Sequence, residues 1–490
     1  MALFEGTDGN NILTGTNEAD IFRPRFGNDR ILGGLGIDTL DFTTWGTTNL
    51  FVDMTLGRAH SHNANVPDYL NGLTRFSGIE NVTTGNGTNT VIGNGSSNVL
   101  IGGTGNDTFL AGGGHDLLIG GLGNNILNGG TGTDTASYAT ATSGVEIILA
   151  DDSNPLVFPG TAASEDGLIF DSLTSIENTI GSDHADYIIG NNGANQLSGG
   201  NGNDTLNGRG GDDLLDGGRG INRIMGGNGI DTVTYAESNA GIVLSLGEEN
   251  MLNSGAAVAK NGSRFDTLID IERAIGSSHD DILAGNSMDN RLHGGVGNDI
   301  LHGLGGADML DGGFADETAS GGTGNDRLSG GFGDDTLYGD DGNDTFYGES
   351  GTDTLYGGTG NDRFHNTDMV DNIHGGEGFD RAYFNAPTLV FNPETIETGE
   401  MTGMEYLKLN VAEGSMFSVT SDDVFALSDT GRLYLTGTGY TVNIDDDSFL
   451  CTSETRMMDG ETFDIYESLF HEDTYLMVPQ DLTVNFTLPV

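Results

Sequence analysis

The chain predicts an all-β fold, a parallel solenoid of short strands, and three observations predict it. Five consecutive blocks, GGTGNDRLS, GGFGDDTLY, GDDGNDTFY, GESGTDTLY and GGTGNDRFH (321–365), share one nine-residue period. Each opens with a glycine-rich half, and glycine permits the positive φ and tight turning that let carbonyl oxygens converge in a loop. Each closes on a polar–apolar–polar tail, too short for a helical turn but suited to a strand with one inward side chain: Leu328, Leu337, Phe346, Leu355 and Phe364. A unit is thus a turn plus a strand, and two units make one coil of a flattened helix.

The sixth position of each block is acidic. Stacked coils place Asp326, Asp344 and Asp362 on one edge and Asp335 and Asp353 on the other. Like charges about 4.8 Å apart repel. A hard divalent cation held between turns by carboxylate and carbonyl oxygens turns that repulsion into a bond, and such ligands suit calcium.

The blocks strongly resemble the RTX (repeats-in-toxin) family, or hemolysin-type calcium-binding repeat proteins, whose motif is GGxGxDxUx. Five copies in one register make the resemblance specific. It implies a calcium-binding parallel β-roll, with Ca2+ as a multiple cofactor, and export by a type I secretion system through an uncleaved C-terminal signal. The stretch from about Glu461, poor in basic residues and ending in apolar and hydroxylated ones, is compatible with that signal.

Followed by its sixth position, the register gives Asn11, Asp20, Asp29 and Asp38, then Asn89, Asn98, Asp107, Asp116, Asn125 and Asp134. A third run gives Asp186, Asn195, Asp204, Asp213, Asn222 and Asp231. The fourth gives Asp281, Asn290, Asp299, Asp308, Glu317, Asp326, Asp335, Asp344, Asp353, Asp362, Asp371 and Asp380. The aspartates of these runs other than Asp29 are the expected metal ligands.

The register breaks the same way each time. An aromatic follows the last acid by four residues (Phe42, Tyr138, Tyr235), an alternating apolar stretch comes next, and the chain returns through Ile79-Glu80-Asn81, Ile176-Glu177-Asn178 or Ile271-Glu272-Arg273. The expected organisation is therefore four RTX runs (6–41, 85–137, 182–234, 277–383), three β-containing inserts (42–84, 138–181, 235–276) and a C-terminal β-rich cap (384–490). The inserts read as short strands flanking the roll with projecting loops, one of which carries His60-Ser61-His62. The cap is needed because a solenoid end exposes apolar core and unpaired strand edge.

Among 490 residues are 82 glycines, and the formal charge is -55. That charge argues against nucleic acid or anionic lipid as a partner and points to cations or a basic surface. The single cysteine, Cys451, excludes an internal disulfide framework, leaving cations as staples. Residues 1–10 lack the basic and apolar regions of a conventional signal peptide, and no apolar stretch is long enough for a membrane span.

Catalytic signatures are not found. Gly348-Glu349-Ser350-Gly351 has the wrong spacing for a nucleophile elbow, and His471-Glu472 continues Asp473-Thr474-Tyr475 without the second histidine of a metalloprotease helix. The periodic carboxylates are explained by cations rather than by glycosidase pairs. Outward Thr336, Thr345 and Thr354 suggest a flat ice-binding row, which Arg327 and Arg363 interrupt. The resulting expectation is a secreted, non-enzymatic calcium-binding protein of a bacterial cell surface or matrix, acting in adhesion or assembly, with surface polysaccharide or other copies of itself as partners. The alternative is a stand-alone carbohydrate-binding or accessory module for an extracellular enzyme, similar to the repeat modules of alginate epimerases.

Overall fold

A computed structural model describes residues 1–61, 73–150, 160–247, 254–365, 371–386, 390–391, 401–404, 406–419, 428, 432–444, 449–458, 461–468, 474–480 and 483–486. His62, of the His60-Ser61-His62 loop, and the His471-Glu472-Asp473 string lie outside them. Two compact units form: Met1–Val233 with Ser263–Ile271, and Thr234–Gly262 with Glu272–Val490.

In the first unit, short parallel strands alternate between two sheets. Leu3–Glu5, Ile21–Arg23 and Thr39–Asp41 stack in one, with Phe4, Phe22 and Leu40 in register, while Ile12–Thr14 and Arg30–Leu32 stack in the other. Phe22, Ile31 and Leu40 are fully buried. The eighth position therefore points inward, because a three-residue strand has one central side chain and the pleat turns its neighbours out. Burying each such side chain stabilises by roughly 1.5–3 kcal/mol.

The stretches between runs differ from the flanking strands expected. They lie within one sheet. Leu73–Ser77 pairs parallel with Arg30–Leu32, Arg58–Ser61 runs antiparallel to it, and Leu50–Asp53 runs antiparallel to that strand and parallel to Thr90–Ile92. The topology recurs at Phe170–Thr174, Gly160–Ser164 and Val145–Ile148, between Ile126–Gly132 and Tyr187–Ile189. The opposite sheet continues without interruption, Thr39–Asp41 onto Asn81–Thr83 and Thr135–Ser137 onto Asn178–Ile180. An edge strand presents unpaired N–H and C=O groups, and a three-strand zigzag that enters and leaves in parallel register satisfies both of the edges it separates.

In the second unit, Ile242–Gly247 likewise pairs antiparallel with Ser254–Ala259 and parallel with Ile282–Ala284. The glycine repeats then run without interruption from Arg273–Ile275 to Arg381–Ala386 in one sheet and from Ile282–Ala284 to Asn372–Gly378 in the other. Their core is a ladder in which the Phe346 and Phe364 rings stack at 4.7 Å.

The C-terminal part closes this unit as a β-rich cap. Tyr406–Val419 adds in parallel to Arg381–Ala386, Arg432–Ile444 adds to it, and the antiparallel strands Phe449–Met458, Glu461–Ser468 and Tyr475–Pro479 complete the sheet. Tyr406, Tyr434, Phe463 and Met477 form its buried cluster.

Candidate metal centre

Each turn is shaped by glycines where a side chain would collide. In the loop 357–362, Gly360 has φ +132, and a Cβ there would lie 1.5 Å from the Gly342 carbonyl oxygen one coil back. A Cβ on Gly357 would lie 2.1 Å from the Gly375 carbonyl oxygen and 2.4 Å from Asp362 Oδ2. The loop is thus a cradle in which backbone carbonyls and one carboxylate oxygen approach a bare Cα.

The sixth-position acids stack as predicted, but one oxygen of each is already spent. The backbone N–H of one acid donates to Oδ1 of the acid one coil on: Asp308 to Asp326 and Asp326 to Asp344 at 2.7 Å, Asp344 to Asp362 at 2.8 Å, and Asp335 to Asp353 at 3.0 Å. Asp38, Asp107, Asp116, Asp134, Asp204, Asp213, Asp299, Asp308 and Asp335 accept in the same way. So do Asp231, Asp371 and Asp380. Asp29, left out of the expected ligand set, accepts from Asn11 at 2.7 Å.

The second oxygen makes the site. Oδ2 is buried without a hydrogen-bond partner in Asp29, Asp38, Asp107, Asp116, Asp134, Asp204, Asp213, Asp299, Asp308, Asp326, Asp335, Asp344, Asp353 and Asp362. A buried carboxylate without a partner is costly unless it is neutralised or coordinates a cation. Burial, the largest cause, pushes Asp204, Asp213, Asp308, Asp344 and Asp353 up to about 7. Among the described residues no three carboxylate, imidazole or thiol groups converge, so any ion held here must take carbonyl oxygens as well. An all-oxygen set of one carboxylate per turn plus backbone carbonyls fits a hard, flexible cation such as calcium.

Three of the expected ligands have no such vacancy. Asp20 Oδ2 accepts from the Thr16 N–H and hydroxyl, both at 2.8 Å, and these bonds hold the acid below its usual range. In Asp186, Oδ2 accepts from the Ser182 N–H at 2.5 Å and Oδ1 from the Ser182 hydroxyl at 2.9 Å and the Val145 N–H at 2.6 Å. Asp281 repeats this with Ser277 and Ile242. Burial raises Asp186 and Asp281 all the same. The signal was visible as GTNEAD, GSDHAD and GSSHDD, where a hydroxyl residue stands second in place of glycine.

Sequence reasoning also missed acids outside the register. Asp171 Oδ1 receives the Asn125 N–H at 2.9 Å, and Asp266 receives that of Asn222 at 3.2 Å. Glu80 receives the Asp38 N–H and Glu177 that of Asp134, each at 2.8 Å. These four occupy sixth positions in space. The buried Tyr138, noted only as a marker of the break, donates its hydroxyl to Asp171 Oδ2 at 3.1 Å. Glu317 departs furthest: both its oxygens are buried without partners, and burial together with Asp335 pushes it up to about 9.

Fold and turns together define a parallel β-solenoid whose repeats are built to take cations at the edge. The RTX calcium-binding nonapeptide repeat matches residues 5–40, 76–109, 83–118, 101–136, 180–215, 216–234, 275–310, 311–346 and 330–364. The chain belongs to this calcium-binding repeat family, whose members are typically secreted. No curated protein matches. Among solved structures, the crystal structure of the extracellular lipase LipA from Serratia marcescens is 17% identical with a TM-score of 0.16, covering 63% of this chain and 42% of that one. The chain thus spans less than half of that lipase, and a likeness so distant carries no inference about activity. No helix among the described residues is long and apolar enough to cross a membrane.

Proposed function

We propose that this is a secreted, non-enzymatic calcium-binding protein acting in adhesion or assembly at a bacterial cell surface or matrix. The observation that carries the calcium reading is the row of buried, partnerless Oδ2 atoms, supported by the family match. The residues that would hold calcium are those aspartates, with carbonyl oxygens of the facing glycine turns. Calcium supplies charge neutralisation there. The chain's own ladder, N–H to Oδ1, fixes each carboxylate so that only one oxygen remains to be satisfied.

A non-catalytic role is favoured because the periodic acids are structural. A cavity in the first unit, lined by Ile101, Ile119, Leu122, Tyr138, Ala141 and Ile169 among others, is largely apolar, and its one phenol is committed to Asp171. Attachment is favoured because long runs of identical turns expose the same side-chain columns repeatedly, which suits polyvalent contact better than a single reacting centre.

The test is to image the purified protein, and to measure its attachment to bacteria and to itself, with calcium and with chelator. Calcium-dependent attachment or assembly is expected. Turnover of ester, peptide or polysaccharide substrates by folded protein would overturn the non-enzymatic reading.

A further inference from the structure

The two faces of the second unit's coils are chemically unlike. On one sheet the outward seventh positions stack in strict register as Arg273, Arg291, Met309, Arg327, Thr345, Arg363 and Arg381. On the other they are Ile282, Ile300, Thr318, Thr336, Thr354 and Asn372. Only 18 of 490 residues are basic, yet five of them stand in this one column. Arg291, Arg327 and Arg363 are exposed, and Arg273 and Arg381 are half-buried. Among the described residues none of the five pairs with a carboxylate.

In a chain of net charge -55, carboxylates are in excess, so an unpaired arginine column is a specific arrangement. Beyond Asp289, whose Oδ1 accepts the Ala307 N–H at the start of the rim, the columns beside the arginines are largely neutral. The loop rim beside them carries the amides Asn325, Asn343 and Asn361, bonded to one another in a ladder at 2.7–3.0 Å, where the opposite rim carries Asp316 and Asp334. On the face itself, Asp311 pairs with His293 at 3.2 Å and also feels the charge of Arg291, and Glu349 accepts from the Ser329 hydroxyl at 2.8 Å.

We infer that this arginine face binds an extended, carboxylated polysaccharide. The positive charges lie on a line across six strand steps, about 29 Å at strand spacing, so the complementary ligand is a linear polymer with recurring negative groups rather than one small anion. Guanidinium forks recognise carboxylates bidentately. The next column supplies neutral hydrogen-bonding edges for sugar hydroxyls: Tyr347, His365 and Tyr383 stack at 5.3 and 4.5 Å, and the Arg327 guanidinium lies 4.0 Å above the Tyr347 ring. That stacking covers the ring faces, which removes the platforms single-stranded nucleic acid needs. The chain's net charge also repels so dense a polyanion. The arginines leave the outer face of strands that start directly after the turn acids, Arg327 after Asp326 and Arg363 after Asp362, and the face requires that the coils be folded.

The test is to titrate the full chain, folded in calcium, with hyaluronan oligosaccharides at physiological salt, following folding separately by circular dichroism. The expected result is binding that weakens at least tenfold in the doubly substituted Arg291→Gln, Arg363→Gln protein and is unchanged in Thr336→Gln, Thr354→Gln on the opposite face, with all three equally folded. Equal affinity of the arginine variant, absence of hyaluronan binding by the folded chain, or equally tight binding of poly-glutamate or single-stranded DNA of matched charge overturns the inference. Loss of calcium-dependent folding shows in the dichroism and is thereby distinguished from loss of the glycan site.

Discussion

The loops 276–281 and 357–362 come from the same nine-residue repeat, lie in the same unit and end on the same buried aspartate, yet they solve the burial of its carboxylate differently. In Gly-Ser-Ser-His-Asp-Asp, Ser277 bonds Asp281 from its N–H and its hydroxyl, and Ile242 supplies another N–H. In Gly-Gly-Thr-Gly-Asn-Asp, Asp362 keeps one oxygen for the Asp344 N–H at 2.8 Å and leaves the other bare. Ser277 thus satisfies both carboxylate oxygens, its N–H on Oδ2 and its hydroxyl on Oδ1, where the other loop leaves Oδ2 bare. The loops opening at Gly15 and Gly181 likewise bond their acid through Thr16 and Ser182. The loops ending at Asp186 and Asp281 open their runs and the loop ending at Asp20 is the second of its run; all three satisfy their carboxylate from within the protein, whereas the GGxGxD turns leave one oxygen bare.

The largest effect should come from removing calcium altogether. With every Oδ2 of the GGxGxD turns uncompensated, the runs should lose their β-structure in excess chelator and regain it on adding calcium, as followed by circular dichroism. Persistence of the full β spectrum in chelator would show that the turns need no ion.

The next sharpens the contrast between loops. Asp344→Asn retains a side-chain oxygen for the Asp326 N–H but removes the charge, and should raise the calcium midpoint several-fold. Asp281→Asn, in a loop already satisfied, should leave the midpoint near that of the parent. Equal shifts in the two titrations would erase the distinction.

Acidity should partly replace the ion. Asp344 and Asp353 are pushed up to about 7 in the fold by burial, against about 3.9 in an unfolded chain. Between those values the folded state binds more protons, so stability without calcium falls as pH rises through that window. In chelator, β-structure should grow as pH drops from 8 towards 5, and melting temperatures measured across that range would reverse in sign if the acids were instead stabilised as anions.

The smallest effect tests the hydroxyl itself. Ser277→Gly removes one bond to Asp281, with an expected loss of about 1 kcal/mol. Oδ1 keeps the Ile242 N–H and Oδ2 the N–H of residue 277, so no oxygen is laid bare and added calcium should leave the loss in thermal melts unchanged. Full recovery by calcium would mean that the hydroxyl, and not the backbone N–H, decides whether the turn takes an ion.

Much of this was legible in one dimension because the period is short. The inward ladder through Leu328, Leu337, Phe346, Leu355 and Phe364 follows from a three-residue strand, and all five are fully buried. The stacking of Asp326, Asp344 and Asp362 follows from two units per coil and holds in the register. Calcium as the cofactor followed from repeated acids beside glycine turns, and the family match agrees. What could not be read was how each carboxylate divides its two oxygens, since that depends on which N–H lies opposite once the coils are stacked.

The sequence by itself determined the repeat, its inward residues and its acidic edges, because each rests on spacing within one or two units. Only the tertiary structure decided the rest. Asp171 sits opposite Asn125 across 46 residues of chain and Glu80 opposite Asp38 across 42, pairings set by strand register rather than by period. Likewise Arg327 and Arg363, which seem in linear order to interrupt a threonine row, lie on the opposite sheet from Thr336 and Thr354. Successive units alternate faces, so neighbours in space are 18 residues apart, and a surface becomes visible only when every second unit is laid upon the last.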